Sequence, residues 1–338
     1  MGNTELSSER TRTLDPEQIT VRLAEPPDAA VLAEALSGQL RETRTAQSSG
    51  DRMLEAFTRW IDEDLCLVAE TDAPTAAAQG HRPVGVLQLD QRGEVGEVRS
   101  VIVAPGHDHE PIDIRMLTAA VQVATDLGCR DLVVRGWAAH PSTRSRMHAL
   151  LVQHGYRADG PDLVRTLPVR VEVPTTEAMW ALGRALVDDL RAGDVIVASG
   201  DLGAGKTTLA QGIGEALGVR EPVISPTFVL VRRHAGVDGR PGLVHVDAYR
   251  LGSLAELVDL DLDETMDSCV TLVEWGAGIA EDLERSYLAV DIVRSEDPAD
   301  DTRTVYLDPV GPRWEGVDLT HLVDAVASVP AATTDKEQ

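Results

Sequence analysis

Apolar positions along the chain follow two periods, one of about two residues and one of three to four, and the alternation between them predicts its elements. Ile19–Ala24 alternates as a strand does, and Asp28–Leu40 carries Val31, Leu32, Ala35 and Leu36 at helical spacing behind an aspartate cap. A second helical stretch covers Arg52–Ile61, a strand covers Leu65–Glu70, and the small-residue run Thr71–Pro83 reads as a loop. Val84–Leu89 and Val95–Val103 read as paired strands around Gln91-Arg92-Gly93. A helix over Ile112–Leu127, a strand over Asp131–Arg135, a helix over Ser142–His154 and a strand over Leu163–Leu167 follow.

A second series opens with a short strand, Val169–Val173. Pro174-Thr175-Thr176-Glu177 then starts a helix whose Met179, Leu182, Leu186 and Leu190 form one apolar stripe, the pattern of a packed face. The β-branched run before Gly200 predicts a strand, and the helix after it stops near Leu217-Gly218, where glycine is the usual terminator. Later strands are expected at Val229–Val231, Leu243–Asp247, Cys269–Glu274, Leu288–Val293 and Thr304–Leu307, the last two separated by the acidic loop Ser295–Asp301. Residues 1–17 are polar and read as a disordered lead-in, and 327–338 as a disordered tail. Two α/β domains are expected between them, over 18–168 and 169–326.

Composition narrows the choice of partners. The 338 residues carry a formal net charge of −25, which argues against this chain gripping nucleic acid by itself and against a DNA partner. Cys66, Cys129 and Cys269 are far apart and form no C-x-x-C pair, so neither a disulfide framework nor a zinc site is expected. His107-Asp108-His109-Glu110 has no separated third ligand and reads as a solvated loop. The N-terminus lacks an apolar signal core, Leu6 spoils the myristoylation pattern that Gly2 begins, and no run reaches membrane-spanning length. The expectation is a cytoplasmic protein with no membrane partner.

The stretch with the clearest chemistry is Gly200-Asp201-Leu202-Gly203-Ala204-Gly205-Lys206-Thr207, followed by Thr208. It fits G-x-x-x-x-G-K-[ST] between a strand and a helix, the context in which backbone N–H groups and a helix N-terminus cradle a polyphosphate. The chain has only two lysines, Lys206 and Lys336, and one of them stands in this loop. Two later strands close on acids, Asp247 and Glu274, which is where a P-loop enzyme needs carboxylates to hold Mg²⁺ or to orient water. Lys206 then neutralises β/γ charge and Thr207 ligates the metal, with Glu274 or Asp247 completing its shell or positioning the water; which acid does which stays open. Ser225-Pro226-Thr227 offers hydroxyls on a proline-stiffened loop suited to sensing a γ-phosphate.

Together, G-D-L-G-A-G-K-T-T, S-P-T-F, H-V-D-A-Y-R-L and L-V-E-W resemble, in order and spacing, the TsaE (YjeE) family over roughly Val173–Arg313. That resemblance implies a P-loop ATPase of tRNA threonylcarbamoyladenosine (t6A) biosynthesis. It also implies ATP and Mg²⁺ as cofactors, TsaD-like and TsaB-like partners, and tRNA contacted indirectly through them. Carried over, Lys206, Asp247 and Glu274 are the catalytic groups, and Thr207, Glu274 and Asp247 the metal groups. Gly200 to Thr208, Ser225, Thr227 and Trp275 are the nucleotide contacts. The sheet of this domain is expected to be mostly parallel.

The order of elements over 18–168, with Leu150-Leu151-Val152-Gln153-His154-Gly155-Tyr156, resembles the GNAT acetyltransferase fold. Its pyrophosphate grip, R-x-x-G-x-[GA] after V-x-P, is not reproduced. Val103-Ala104-Pro105 is present, but Asp108, Pro111 and Asp113 occupy the functional positions. A proline removes a donor and carboxylates repel the pyrophosphate, so a degenerate module is expected, with coenzyme A unlikely as a ligand. The general-acid tyrosine position falls on Leu151, and Glu97 reads as an exposed strand residue.

Two other functions fit the P-loop: a small-molecule kinase using Arg232 and Arg233 in a lid, and an ATP-sensing regulatory or binding protein whose acyl-CoA-type N-terminal acetyltransferase module recognises a ligand. A GTPase is disfavoured because its N-K-x-D motif needs a lysine, and no internal lysine other than Lys206 exists.

Overall fold

The computed structural model describes residues 18–36, 46–72, 81–107, 109–135, 148, 151–152, 154–251, 253–258, 260–280, 283–295, 297 and 299–329. The lead-in 1–17, Asp108, most of the helix expected over Ser142–His154, part of the loop before Pro83 and the tail from 330 lie outside them. The chain divides into two compact units, Met1–Leu167 and Pro168–Gln338.

In the first unit the described elements are β1 (Ile19–Leu23), α1 (Asp28–Leu36), α2 (Ala46–Glu63), β2 (Leu65–Asp72), β3 (His81–Arg92), β4 (Val95–Val103), α3 (His109–Asp126), β5 (Asp131–Val134), β6 (Arg157–Asp159) and β7 (Asp162–Thr166). They form one sheet in the order β1-β2-β3-β4-β5-β7-β6, antiparallel except where β4 runs parallel to β5. The β3–β4 turn falls one residue later than expected, with Arg92 opposite Val95 and Gly93 at φ +63°, a left-handed conformation that glycine adopts at little cost. α3 packs Ile112, Met116 and Ala120 onto one face of the sheet, and α1 and α2 pack Leu32, Leu36 and Phe57 in a separate cluster.

Two residues of this unit depart from expectation. Glu97 is buried, because the Arg135 guanidinium reaches it at 2.5 Å and Arg92 approaches it at 3.6 Å; it is an ion-paired core residue and not an exposed strand glutamate. α3 begins three residues earlier than its apolar pattern, since Pro111 sits in the first turn, where its missing N–H has no intrahelical partner to lose.

The second unit contains β8 (Val169–Val173), α4 (Thr176–Leu186), β9 (Val195–Ser199), α5 (Lys206–Leu217), β10 (Val231–His234), β11 (Gly242–Asp247), α6 (Leu254–Val258), α7 (Asp263–Met266), β12 (Cys269–Glu274), β13 (Tyr287–Arg294), β14 (Arg303–Val310) and α8 (His321–Ala327). The sheet order is β10-β11-β12-β9-β13-β14-β8. β11, β12, β9 and β13 are mutually parallel and form the centre; β10 on one side and β14 on the other run antiparallel to it, and β8, antiparallel to β14, runs in the direction of the centre. Every residue of β11 is buried, as expected of a parallel strand covered on both faces.

α4 is capped by Thr175, whose hydroxyl accepts the Ala178 N–H at 3.1 Å. It crosses α5 at paired glycines: a methyl added to Gly183 would lie 2.4 Å from the Leu209 carbonyl oxygen, and one added to Gly212 would lie 2.3 Å from that of Trp180. This close crossing lays α5 against the sheet centre with Leu209 and Ile213 in the core.

Candidate nucleotide-binding site

The loop between β9 and α5 emerges at the carboxyl end of the central strand, where neighbouring strands leave on both sides. Gly200 (φ +135°), Gly203 (φ +78°) and Gly205 (φ +118°) give the loop its curl. At Gly200 a side chain is also excluded by the Ile292 carbonyl oxygen, 2.4 Å from where a Cβ would stand. Ala204 is buried, whereas Asp201 and Leu202 are exposed, Leu202 at 86%. Lys206, Thr207 and Thr208 form the first turn of α5, and Gly205, its N-cap, supplies no side chain, so the helix opens toward the loop.

Lys206 is buried at 4% exposure. Its ammonium donates to the carbonyl oxygens of Gly200 at 2.6 Å and Asp201 at 3.0 Å, and lies 3.7 Å from the centroid of the Trp275 ring. Burial lowers its pKa from the ordinary lysine value, against the opposing pull of Glu274, Asp247 and Asp201.

The two strand-end acids stand in register. Asp247 is opposite Glu274, and Glu274 is opposite Ala198, so both carboxylates reach the level at which the central strand turns into the loop. The Thr207 hydroxyl donates to Glu274 Oε1 at 2.8 Å, joining the helix start to the neighbouring strand. Asp247 accepts the Thr227 hydroxyl at 2.5 Å and the Tyr249 N–H at 3.0 Å, and Ser225 and Thr227 share a hydrogen bond of 2.6 Å. Arg250 donates to the Thr227 carbonyl. The Ser225–Thr227 loop is therefore tied to the strand that carries Asp247, and the sequence-predicted residues converge.

Backbone strain falls in the same place. Of four described non-glycine residues with positive φ, Leu230 (φ +65°) ends the Ser225–Thr227 loop and Trp275 (φ +61°) follows Glu274. Pro226 accepts the N–H groups of Val229 and Leu230, which delays the expected strand at Val229 until Val231. Trp275 keeps a sheet-like bond to the Ala198 carbonyl at 3.0 Å, and its ring meets Lys206 on one hand and Tyr249, edge-on at 5.3 Å, on the other.

The sequence reading gave no role to His245, Tyr249 or Arg250, although all three lie in the motif around Asp247. His245 Nε2 is 2.7 Å from Glu274 Oε1. Arg233, considered above for a kinase lid, donates instead to the carbonyls of Leu260 and Asp261.

The oxygen donors here, one hydroxyl and two carboxylates, suit Mg²⁺ held jointly with substrate phosphates. Among the described residues no group of three or more His, Cys, Asp or Glu side chains is placed to hold a metal by itself. No described helix is long and apolar enough to cross a membrane.

Comparison with known proteins bears on the same segment. The family model for threonylcarbamoyl adenosine biosynthesis protein TsaE matches residues 173–305. The tRNA threonylcarbamoyladenosine biosynthesis protein TsaE of Streptomyces coelicolor is 51% identical over 146 residues, 43% of this chain and 99% of the relative. The chain belongs to the TsaE family. Its Bacillus subtilis TsaE relative is 41% identical over 140 residues, 41% of this chain and 84% of that protein. Outside the TsaE match, a likeness is found to the PaiA N-acetyltransferase of Thermoplasma acidophilum in complex with coenzyme A. It has 16% identity and a TM-score of 0.32, and covers 44% of this chain and 98% of that one.

Proposed function

We propose that the TsaE-family domain, assigned to 169–326, binds Mg²⁺-ATP at Gly200–Thr208 and hydrolyses it in support of threonylcarbamoyl transfer to tRNA. It acts with TsaD-like and TsaB-like proteins in the cytoplasm, and the acidity of this chain leaves the tRNA to those partners. The observation that carries the reading is the register that brings Asp247 and Glu274 level beside the P-loop, with Glu274 bonded to Thr207.

Each residue has a task that its present contacts support. Lys206 leaves the carbonyls of Gly200 and Asp201 and neutralises β/γ-phosphate charge. Thr207 donates its proton to Glu274 and keeps lone pairs for the metal. Glu274 and Asp247 orient the metal's waters and the attacking water, and the Thr227 hydroxyl on Asp247 links that acid to a loop able to report the γ-phosphate. Mg²⁺ held by Thr207, Glu274 and Asp247 would supply neutralisation of phosphate charge.

The domain over 18–168 is proposed to be a degenerate GNAT-like module that does not use acetyl-CoA. In support, Pro111 occupies the first turn of α3, where a pyrophosphate needs N–H donors, and Asp113, two residues further on, is buried.

Following the label of γ-labelled ATP, with and without TsaD-like and TsaB-like proteins and tRNA, tests the reading. Partner-stimulated release of inorganic phosphate is expected. Label in a small molecule would show a kinase, and binding without turnover an ATP sensor.

A further inference from the structure

His245 is the most enclosed polar side chain in contact with the site, with no exposed surface, and its Nε2 lies 2.7 Å from Glu274 Oε1. A carboxylate only accepts, so the proton of that bond belongs to Nε2. The other ring nitrogen, Nδ1, is buried without a hydrogen-bond partner among the described residues. Leu243, two residues before it on β11, and Leu272, opposite it on β12, are core residues that an apolar side chain here would join. A polar ring that leaves one nitrogen unsatisfied is therefore poorly explained by packing, and its one bond is to the acid beside the P-loop.

Both hydrogen bonds of the Glu274 carboxylate end on the same oxygen. Thr207 and His245 converge on Oε1, and among the described residues none reaches Oε2. The two donors differ in setting: Thr207 sits on the turn that receives the phosphates, whereas His245 lies in a strand buried along its whole length.

We propose that His245 is a positioning residue, whose Nε2–H joins the Thr207 hydroxyl on Glu274 Oε1 and so holds Oε2 for the metal-bound or attacking water. This rests on the ATPase reading and adds to it the group that sets the carboxylate's rotamer before nucleotide arrives. Outer groups of this kind change metal affinity or activity by roughly 10–100-fold when removed.

The test has one part that needs no turnover. In the nucleotide-free full chain, nitrogen–proton NMR of the histidine rings is expected to show His245 in the Nε2–H form, with a slowly exchanging proton that shifts in Glu274→Gln. An Nδ1–H form, or a ring proton indifferent to Glu274→Gln, overturns the proposal. In the second part, His245→Leu keeps volume without a donor, and His245→Gln keeps a donor near the Nε2 position. With partners present, His245→Leu is expected to lower kcat by roughly 10–100-fold. KM for ATP and the melting temperature stay close to those of the unsubstituted chain, and His245→Gln recovers activity. Equal impairment of the two variants, or a loss in His245→Leu that follows unfolding, shows a structural role and overturns it. Failure of the ATPase reading appears separately, as absence of turnover in the unsubstituted chain. The ring spectrum then still decides.

Discussion

The Lys206 ammonium stands 3.7 Å from the centre of the Trp275 indole, inside a loop whose own carbonyls also hold it. The lysine proposed to bind phosphate thus rests on an aromatic face that a left-handed backbone turns toward it. Such a contact contributes about 0.5–2 kcal/mol, which charged phosphates outbid.

Nucleotide binding should therefore be visible at Trp275. ADP or ATP with Mg²⁺ is expected to change the tryptophan emission of the full chain, and Trp275→Phe to remove most of that change while nucleotide affinity falls only modestly. A signal that persists undiminished in Trp275→Phe would show that Lys206 does not leave the ring.

Lys206 also gives the stability a pH dependence of known sign. Its pKa is lowered by burial, so between that lowered value and the unfolded value near about 10.4 the unfolded chain binds more protons and stability rises with pH. Relative to Lys206→Met, the unsubstituted protein is expected to gain thermal stability between neutral pH and about pH 10. A difference between the two melting temperatures that stays constant across that range contradicts the burial of a charged amine.

The glycine crossing of α4 and α5 should be intolerant. Gly212→Ala gains up to about 1 kcal/mol of helix propensity, but its methyl meets the backbone oxygen of Trp180, which no rotamer change relieves. Overpacking of this kind costs about 1–3 kcal/mol, and α5 carries Lys206 and Thr207, so lower thermal stability and weaker nucleotide binding are expected together. Calorimetry and nucleotide titration of the variant check both.

The N-terminal unit makes its own prediction. Titration calorimetry of the full chain with acetyl-CoA is expected to show no binding in the micromolar range, and micromolar binding would overturn the assignment of a degenerate module.

What the sequence made legible was local. The glycines of the P-loop, its lysine and the two acids at strand ends are each tied to a short pattern, and the structure brings them together. Relations across elements were not legible. Glu97 looked exposed because its burial depends on Arg135, 38 residues further on. His245 drew no role, since nothing local shows that its ring reaches a carboxylate 29 residues away. Trp275 was expected near the nucleotide, but its grip on Lys206 requires φ +61°, which a tryptophan's identity does not signal. α8 is seven residues long, too short for periodicity to stand out from its surroundings.

The central claim is that Lys206 and Glu274 belong to one hydrolytic site. Its most direct test is phosphate release from ATP by the unsubstituted chain, Lys206→Ala and Glu274→Gln, each with TsaD-like and TsaB-like partners and tRNA. The account predicts partner-stimulated release by the unsubstituted chain and its loss, by at least about 100-fold, in both variants. Unchanged rates in both variants would contradict it.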